Sequence, residues 1–193
     1  MFAPTRVRRT LRWARLGLLG LALPTLAYCG FILVNSWAFQ EVERVEFERL
    51  LVERRAAPAD TSIPATGMIG RIEIARLGLS VMVMEGTSGW TLARAVGHIS
   101  GTAMPGQPGN AGFAGHRDTF FRPLANVRRD DRITLTTLRG EYRYRVVSTR
   151  VVSPEEVSVL APSASEILTL VTCYPFYFVG AAPERFIVRA ERE

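Results

Sequence analysis

A stretch of 24 residues without a charged side chain, from Leu16 to Phe39, constrains this chain more than any other feature. A helix of about 20 apolar residues spans the hydrocarbon core of a bilayer. Trp13 and Trp37 stand near its ends, where aromatic side chains meet the membrane interface. Five arginines and no acidic residue precede it: Arg6, Arg8, Arg9, Arg12 and Arg15. The sequence therefore predicts a basic cytoplasmic segment over 1–15 and a single-pass transmembrane anchor over 16–39, with the remaining chain outside the cytoplasm.

A cleaved signal peptide is the alternative for this segment. The apolar core of a signal peptide is usually about 7 to 15 residues long, which is shorter than this run, and no clear small-residue cleavage site follows it. The letters LAYC, ending at Cys29, resemble a lipoprotein cleavage site, but the bulky Tyr28 precedes the cysteine. An uncleaved anchor is therefore favoured.

The charge balance argues against a nucleic-acid partner. The formal net charge is +6, but the five N-terminal arginines supply most of it, and the other arginines nearly cancel the 18 acidic residues. A nucleic-acid binder needs a basic face in its folded part. The two cysteines, Cys29 in the apolar run and Cys173 far downstream, form no disulfide framework. Cys173, His98 and His116 lack the paired spacing of zinc ligands, so no zinc site is predicted.

Residues 40–66 are predicted to be a stalk and a linker. Apolar residues recur at near-helical spacing among alternating charges: Val42, Val45, Phe47, Leu50 and Leu51. We predict a solvated juxtamembrane helix. A self-association or partner helix is the alternative, although the run is too short for sustained heptads. Pro58 to Thr66, rich in Pro, Ala, Ser and Thr, is predicted to be the linker.

From 67 to 193 the pattern is typical of a single β-rich domain. Short runs of strand-forming residues recur between turn signals: Met68 to Ile74, Leu79 to Met84, Arg132 to Thr136, and Glu141 to Val152. Short helical turns are predicted over Thr91 to Ala95 and Pro154 to Leu160. Many short strands of this kind indicate a closed barrel or a sandwich.

The run Thr169-Leu170-Val171-Thr172-Cys173 is predicted to carry a thiol out of the core at the end of a strand. Thr, Leu and Val favour a strand, and Tyr174-Pro175 stops it because proline has no N–H to donate. A lone free cysteine is usually inert packing. His116, far upstream, and Arg185, shortly downstream, would complete a nucleophile, a proton carrier and a permanent cation.

These three segments resemble the sortases, which are membrane-anchored cysteine transpeptidases. The TLxTC signature of that family is intact from Thr169 to Cys173, and its histidine and arginine match His116 and Arg185 in the same chain order. The resemblance is strongest to class D sortases or their Gram-negative relatives. It implies a mainly β fold, an eight-stranded barrel with short helices, behind the transmembrane helix.

The resemblance also implies a reaction and its partners. Cys173 would cleave an LPXTG-like C-terminal sorting signal after its Thr, hold the acyl fragment as a thioester and pass it to an amine, without a cofactor. The amine would belong to a cell-envelope peptide or a pilin lysine, and transfer to water would make the enzyme a protease. Thr172 is implied to contribute to the substrate groove, and Arg185 to stabilise an oxyanion or hold substrate carbonyls.

Several alternatives stay open at this point. His98 is a rival proton carrier, although a structural or substrate-binding role suits its turn-like surroundings better. Asp118 is a candidate third member of a Cys-His-Asp triad, or a capping residue. Arg185 without the motif is an ordinary surface charge on an edge strand. An L,D-transpeptidase is disfavoured because its His-Gly-Cys type signature is missing, and a non-catalytic membrane-anchored β-barrel that binds proteins is the remaining alternative function.

Overall fold

A computed structural model describes three parts of the chain: residues 5–56, 67–178 and 180–193. The chain divides into two compact units: Met1–Ala38 and Phe39–Glu193. Helix α1, Thr5–Ala56, contains the predicted anchor 16–39 and has Pro24 inside it. By length and composition α1 can cross a membrane, and its most apolar window is not buried by other protein. The predicted linker 58–66 lies outside the described residues.

Eight strands close into a barrel in the order β1-β2-β3-β4-β7-β8-β6-β5. Their bounds are β1 Met68–Ile74, β2 Leu79–Glu85, β3 Val96–His98, β4 Gly109–Ala114, β5 Arg132–Thr137, β6 Gly140–Val152, β7 Glu166–Tyr174 and β8 Glu184–Arg192. The pairs β2–β3 and β4–β7 are parallel, and the other neighbours are antiparallel. The predicted eight-stranded barrel is confirmed.

Short helices and turns connect the strands. Helix α2 is Gly89–Leu92, with the Ser88 hydroxyl accepting from the Thr91 N–H at its start. Three 3₁₀ turns also connect strands: Ala75–Leu77, Arg122–Asn126 and Val157–Leu160. The predicted helical turns therefore exist, but each is shorter than predicted. Alternating residues of the strands fill the barrel with fully buried aliphatic and aromatic side chains: Ile72, Phe113, Ile133, Leu135, Leu168, Leu170 and Val188.

The part of α1 that belongs to the barrel unit is a packed element, which differs from the solvated stalk predicted above. Phe47 is fully buried in a cluster with Met68, Met82, Met84 and Ala95. Methionines on the outside of β1 and β2 thus form an apolar patch that the helix covers. The opposite face is charged and solvent-exposed, as the alternating charges predict.

Gln40 adds hydrogen bonds to this docking. Its Nε2 donates to the Arg94 carbonyl oxygen over 2.6 Å, and its Oε1 accepts from the Met82 N–H over 2.8 Å. Because one side-chain amide bonds backbone groups of two barrel segments, it fixes the position of the helix on the barrel surface. Residues 39–56 are therefore part of the folded barrel unit.

We expect Phe47→Ala to lower the free energy of unfolding of the barrel unit by about 3 kcal/mol, the usual cost of removing a fully buried phenylalanine side chain. Urea unfolding of the full chain in detergent, followed by circular dichroism, measures this change. Val45→Ala is the matched control on the same helix, because Val45 is 55% exposed and its truncation should change the free energy by less than about 0.5 kcal/mol. Equal small losses in both variants would contradict the docking of the helix.

Asp131, directly before β5, anchors the turn Ala75–Leu77 to the barrel. Its side chain is 5% exposed and accepts two hydrogen bonds from the Arg76 guanidinium and one from the Arg128 N–H. The bonds from Arg76 are the largest cause that lowers the pKa of Asp131 below its usual value, and they outweigh the opposing effect of burial. The folded state therefore prefers the ionised carboxylate.

This preference predicts a pH-dependent stability. Because the pKa of Asp131 is lower in the folded state, its contribution is complete above the unfolded pKa near 4 and is lost as the pH falls through the folded value. We expect Asp131→Asn to lower the free energy of unfolding by about 1 to 3 kcal/mol at pH 7, with the difference shrinking below about pH 4. Asp130→Asn is the control, since Asp130 is exposed and its positive φ suits Asn. A pH-independent difference would contradict the ion-pair explanation.

Candidate active site

Cys173 and Arg185 lie directly opposite each other on neighbouring antiparallel strands. The register of β7 and β8 pairs Cys173 with Arg185 and Thr172 with Phe186. Directly opposed residues project their side chains from the same face of a sheet, with Cα atoms about 4.5 to 5.5 Å apart. Both side chains are half-buried, and Cys173 is a free thiol. The strand pairing alone brings the predicted nucleophile and the predicted cation together.

His116 reaches the same edge of the barrel from β4. Strand β4 runs parallel to β7 up to the pair Ala114–Val171, and the Gly115 N–H then donates to the Val171 carbonyl oxygen over 3.1 Å. The next residue is His116, which is exposed. Parallel strands end at the same edge, and β8 begins there, so His116, Cys173 and Arg185 lie at one end of three adjacent strands.

Thr172 holds the first two of these segments together. Its side chain is 2% exposed, and its hydroxyl donates to the Gly115 carbonyl oxygen over 2.7 Å. This bond joins the residue before His116 to the residue before Cys173. A direct contact of the Thr172 side chain with substrate, which the family resemblance implies, stays a prediction, whereas the observed hydrogen bond positions the two segments.

The guanidinium of Arg185 is already oriented by backbone oxygens. Its Nη1 lies 3.0 Å from the Glu184 carbonyl oxygen and 3.3 Å from that of Ala182. Among the described residues, its other nitrogens make no hydrogen bond and remain available as donors. A planar fork with free donors beside a thiol is suited to hold a carbonyl oxygen that becomes negatively charged.

Arg117 links the loop after His116 to the segment between β7 and β8. Its Nη2 donates to the carbonyl oxygens of Phe178 and Gly180 over 2.7 and 3.0 Å, and its guanidinium lies over the Phe178 ring. Sequence reasoning missed this residue. Its only sequence signal is its place directly after the catalytic candidate His116.

Asn110 is a second residue that the sequence did not indicate. It is 2% exposed, accepts from the Thr169 hydroxyl over 2.7 Å, and donates to the carbonyl oxygens of Val159 and Ala161. These bonds attach the 3₁₀ turn Val157–Leu160 to the outer face of β4 and β7. The turn therefore forms one wall beside the strand that carries Cys173.

His98 lies apart from the cluster of His116, Cys173 and Arg185. It is 2% exposed on β3, with Nδ1 2.8 Å from the Glu85 carboxylate and Nε2 3.1 Å from the Ala103 carbonyl oxygen and 3.0 Å from the Thr102 hydroxyl. Both ring nitrogens are thus engaged, which favours the structural role predicted above over proton transfer. Substrate binding by His98 stays a prediction.

Asp118 is exposed, and in the described part of the chain it makes no hydrogen bond or ion pair with His116. The geometry therefore gives no support to Asp118 as the third member of a triad, and His116, Cys173 and Arg185 stay the predicted catalytic residues. The residues that the structure describes also contain no group of three or more His, Cys, Asp or Glu side chains placed to hold a metal ion.

Comparison with known proteins places this geometry in a family. The model of the sortase domain matches residues 72–193, which include β2 to β8 and all three cluster residues. The chain belongs to the sortase family. The predicted resemblance is confirmed, and the cluster occupies the β4, β7 and β8 ends of the sortase domain.

Individual relatives include class D, the class suggested by the sequence, and also class A. The chain is 35% identical to Sortase D of Bacillus subtilis over 131 residues, covering 67% of this chain and 66% of the relative. It is 26% identical to Sortase A of Bacillus anthracis, covering 69% of this chain and 65% of the relative. The chain thus spans just under two thirds of both proteins. A solved structure, the Sortase D5 transpeptidase of Clostridium perfringens, superposes with a TM-score of 0.66 at 27% identity, covering 82% of this chain and 98% of that one.

Proposed function

We propose that this protein is a membrane-anchored cysteine transpeptidase that cleaves an LPXTG-like C-terminal sorting signal and transfers the acyl fragment to an amine. The main observation behind the proposal is that Cys173, Arg185 and His116 lie at one edge of the barrel. The β7–β8 register pairs the first two, and the hydrogen bond between Thr172 and Gly115 joins the segments of Cys173 and His116. Membership of the sortase family supports the same chemistry.

The first step forms a thioester. The Cys173 thiolate adds to the carbonyl carbon of the Thr–Gly amide, and the developing oxyanion accepts hydrogen bonds from Arg185. The C–N bond breaks as His116, in its imidazolium form, gives a proton to the leaving nitrogen. The fragment ending in Thr stays bound to the sulfur, and the C-terminal peptide departs as a free amine.

The second step releases the thiol. An incoming amine attacks the thioester carbonyl and loses a proton to His116, and the C–S bond breaks to return Cys173 as thiolate. Water in place of the amine gives hydrolysis. The acceptor is an amine of a cell-envelope peptide or of a pilin lysine, and neither step requires a metal or another cofactor.

A location at the cell membrane is part of the proposal. The uncharged run 16–39 within α1 and the arginines before it support a single-pass protein with a cytoplasmic N-terminus and an extracytoplasmic catalytic domain over 67–193. Proteins that carry the sorting signal would reach the catalytic domain from the same side of the bilayer. The lipid bilayer is thus a partner of the chain.

Intact mass spectrometry of the full chain in detergent tests the proposal. The protein is incubated with a library of LPXTG-like peptides, with and without triglycine as the amine. We expect an acyl adduct that maps to Cys173 and a ligated product only when triglycine is present. A Cys173 thiol that resists alkylation and never acquires an acyl group would instead support the non-catalytic barrel.

A further inference from the structure

A cavity of about 230 Å³ opens on the outer face of β6, β7 and β8, beside the 3₁₀ turn Val157–Leu160. Its lining combines two arginines with small polar residues and two aliphatic residues: Arg150, Arg189, Ser148, Ser158, Thr169, Val159 and Ile187. The three proposed catalytic residues do not line it. The mechanism described above therefore leaves this cavity without a role.

Strand register places the cavity on the same face as Cys173. Arg189 pairs with Thr169 just as Arg185 pairs with Cys173, four residues further along β7 and β8. At about 3.3 Å per residue, the two pairs are separated by about 13 Å. An extended peptide whose scissile carbonyl lies at Cys173 would cover this distance with about four residues.

The charged groups that remain free in the cavity are the two guanidiniums, and the Ser148 hydroxyl beside them can both donate and accept. The Thr169 hydroxyl already donates to Asn110, and the Ser158 hydroxyl is bonded to the Glu156 carboxylate. Among the described residues, the side chains of Arg150 and Arg189 form no ion pair or hydrogen bond, and none with Glu156 or Glu191 on the flanking segments. A guanidinium has no acceptor atom, so a complementary ligand must supply acceptors.

The two arginines also repel each other. Arg150 pairs with Ile187, so it is diagonal to Arg189 on neighbouring strands, and diagonal Cβ atoms lie about 7 to 8 Å apart. A carboxylate between two guanidiniums removes this repulsion and accepts charge-assisted hydrogen bonds from both. A neutral amide can accept such hydrogen bonds but leaves the repulsion in place, and a cationic ligand adds to the repulsion.

We propose that Arg150 and Arg189 form a specificity subsite for a carboxylate on the sorting peptide, about four residues from the scissile bond. The inference rests on the proposed function. In an LPXTG-like signal cut after its Thr, the residue four positions before the Thr stands directly ahead of the Leu. On the leaving fragment, the equivalent residue is the fourth one after the scissile bond. The subsite thus selects an Asp or Glu that flanks the signal rather than a residue of the signal itself.

Peptide binding to the full-length Cys173→Ala protein in detergent micelles tests the subsite without any chemistry. Fluorescent LPXTG-like peptides carry Asp, Asn or Lys either directly ahead of the Leu or four residues after the scissile bond, and anisotropy gives Kd. We expect Asp to bind about fivefold tighter than Asn at one of the two positions, as partly exposed charge pairs allow. The position that shows the preference identifies the side of the peptide that enters the cavity.

Arginine variants decide whether the cavity causes the preference. The Arg150→Gln, Arg189→Gln double variant should bind the Asp and Asn peptides equally, and Arg189→Glu should favour Lys. Arg129→Gln is the matched control, because it removes the same charge from an exposed residue outside the cavity. Equal Kd values for Asp and Asn at both positions, no binding by any peptide, or a preference that survives the double variant would overturn the proposal.

A second readout separates this proposal from the transpeptidase itself. The protein with Cys173 intact is assayed with the same peptides for thioester formation and kcat/KM. Thioester formation with equal kcat/KM for Asp and Asn would overturn the subsite and leave the transpeptidase standing. Tighter binding of the Asp peptide that depends on the two arginines, without any thioester, would support the subsite and overturn the transpeptidase.

Discussion

Cys173→Ala should abolish the acyl adduct and lower the turnover of every sorting peptide by about four orders of magnitude or more, because the reaction has no other nucleophile. Cys173→Ser should be nearly as inactive, since a serine hydroxyl is a far weaker nucleophile than a thiolate near neutral pH. Serine nearly preserves the size of this half-buried side chain at the strand end, and alanine removes only its sulfur atom. Intact mass spectrometry with an LPXTG-like peptide, and chromatography of the cleaved products, measure both losses.

Cys29→Ala is the matched control for the thiol, because Cys29 is the other cysteine of the chain and lies in the apolar part of α1. It should leave turnover unchanged and simplify alkylation to a single site. Cleavage of all peptides by Cys173→Ala at the rate of the unmodified protein would contradict the proposed mechanism. Loss of activity in both cysteine variants would instead indicate damage to the fold.

Much of the barrel and of the candidate site was predictable because the information is local. The run of Met and Ile between turn signals predicts the strand Met68–Ile74 with its observed bounds. The motif around Cys173 predicts a strand end, and β7 does end one residue later, at Tyr174. The family resemblance then supplied the closed topology, which periodicity alone leaves open between a barrel and a sandwich.

The features that were not predicted depend on contacts between distant segments. Phe47 looked like part of a solvated helix because its partners, such as Met82, lie on the outer face of strands whose other face forms the core. Arg117 and Asn110 act on backbone carbonyls, and a backbone carbonyl leaves no trace in the sequence. The cavity at Arg150 and Arg189 depends on how β6 and β8 are paired in register. The pattern of strand-forming residues in the sequence does not specify that register.

Arg185→Ala should lower kcat/KM by about 10² to 10³, the usual effect of removing a donor that stabilises an oxyanion. Arg185→Lys should recover only part of this loss. A lysine retains the charge, but it lacks the planar fork that bonds the Ala182 and Glu184 carbonyl oxygens and still presents free donors beside Cys173. Steady-state kinetics with an LPXTG-like peptide and triglycine measure both variants.

Two observations distinguish this role of Arg185 from that of a surface charge. The rate of Cys173 alkylation should stay within about twofold in Arg185→Ala if the arginine acts on the carbonyl oxygen rather than on the thiol. Arg129→Gln, which removes an exposed positive charge elsewhere in the chain, should leave kcat/KM unchanged. An unchanged kcat/KM in Arg185→Ala would show that the β7–β8 register places an ordinary surface charge beside the nucleophile. A loss of kcat/KM with normal alkylation assigns the free guanidinium donors to the transition state, because they are the groups of Arg185 not already bonded to the backbone.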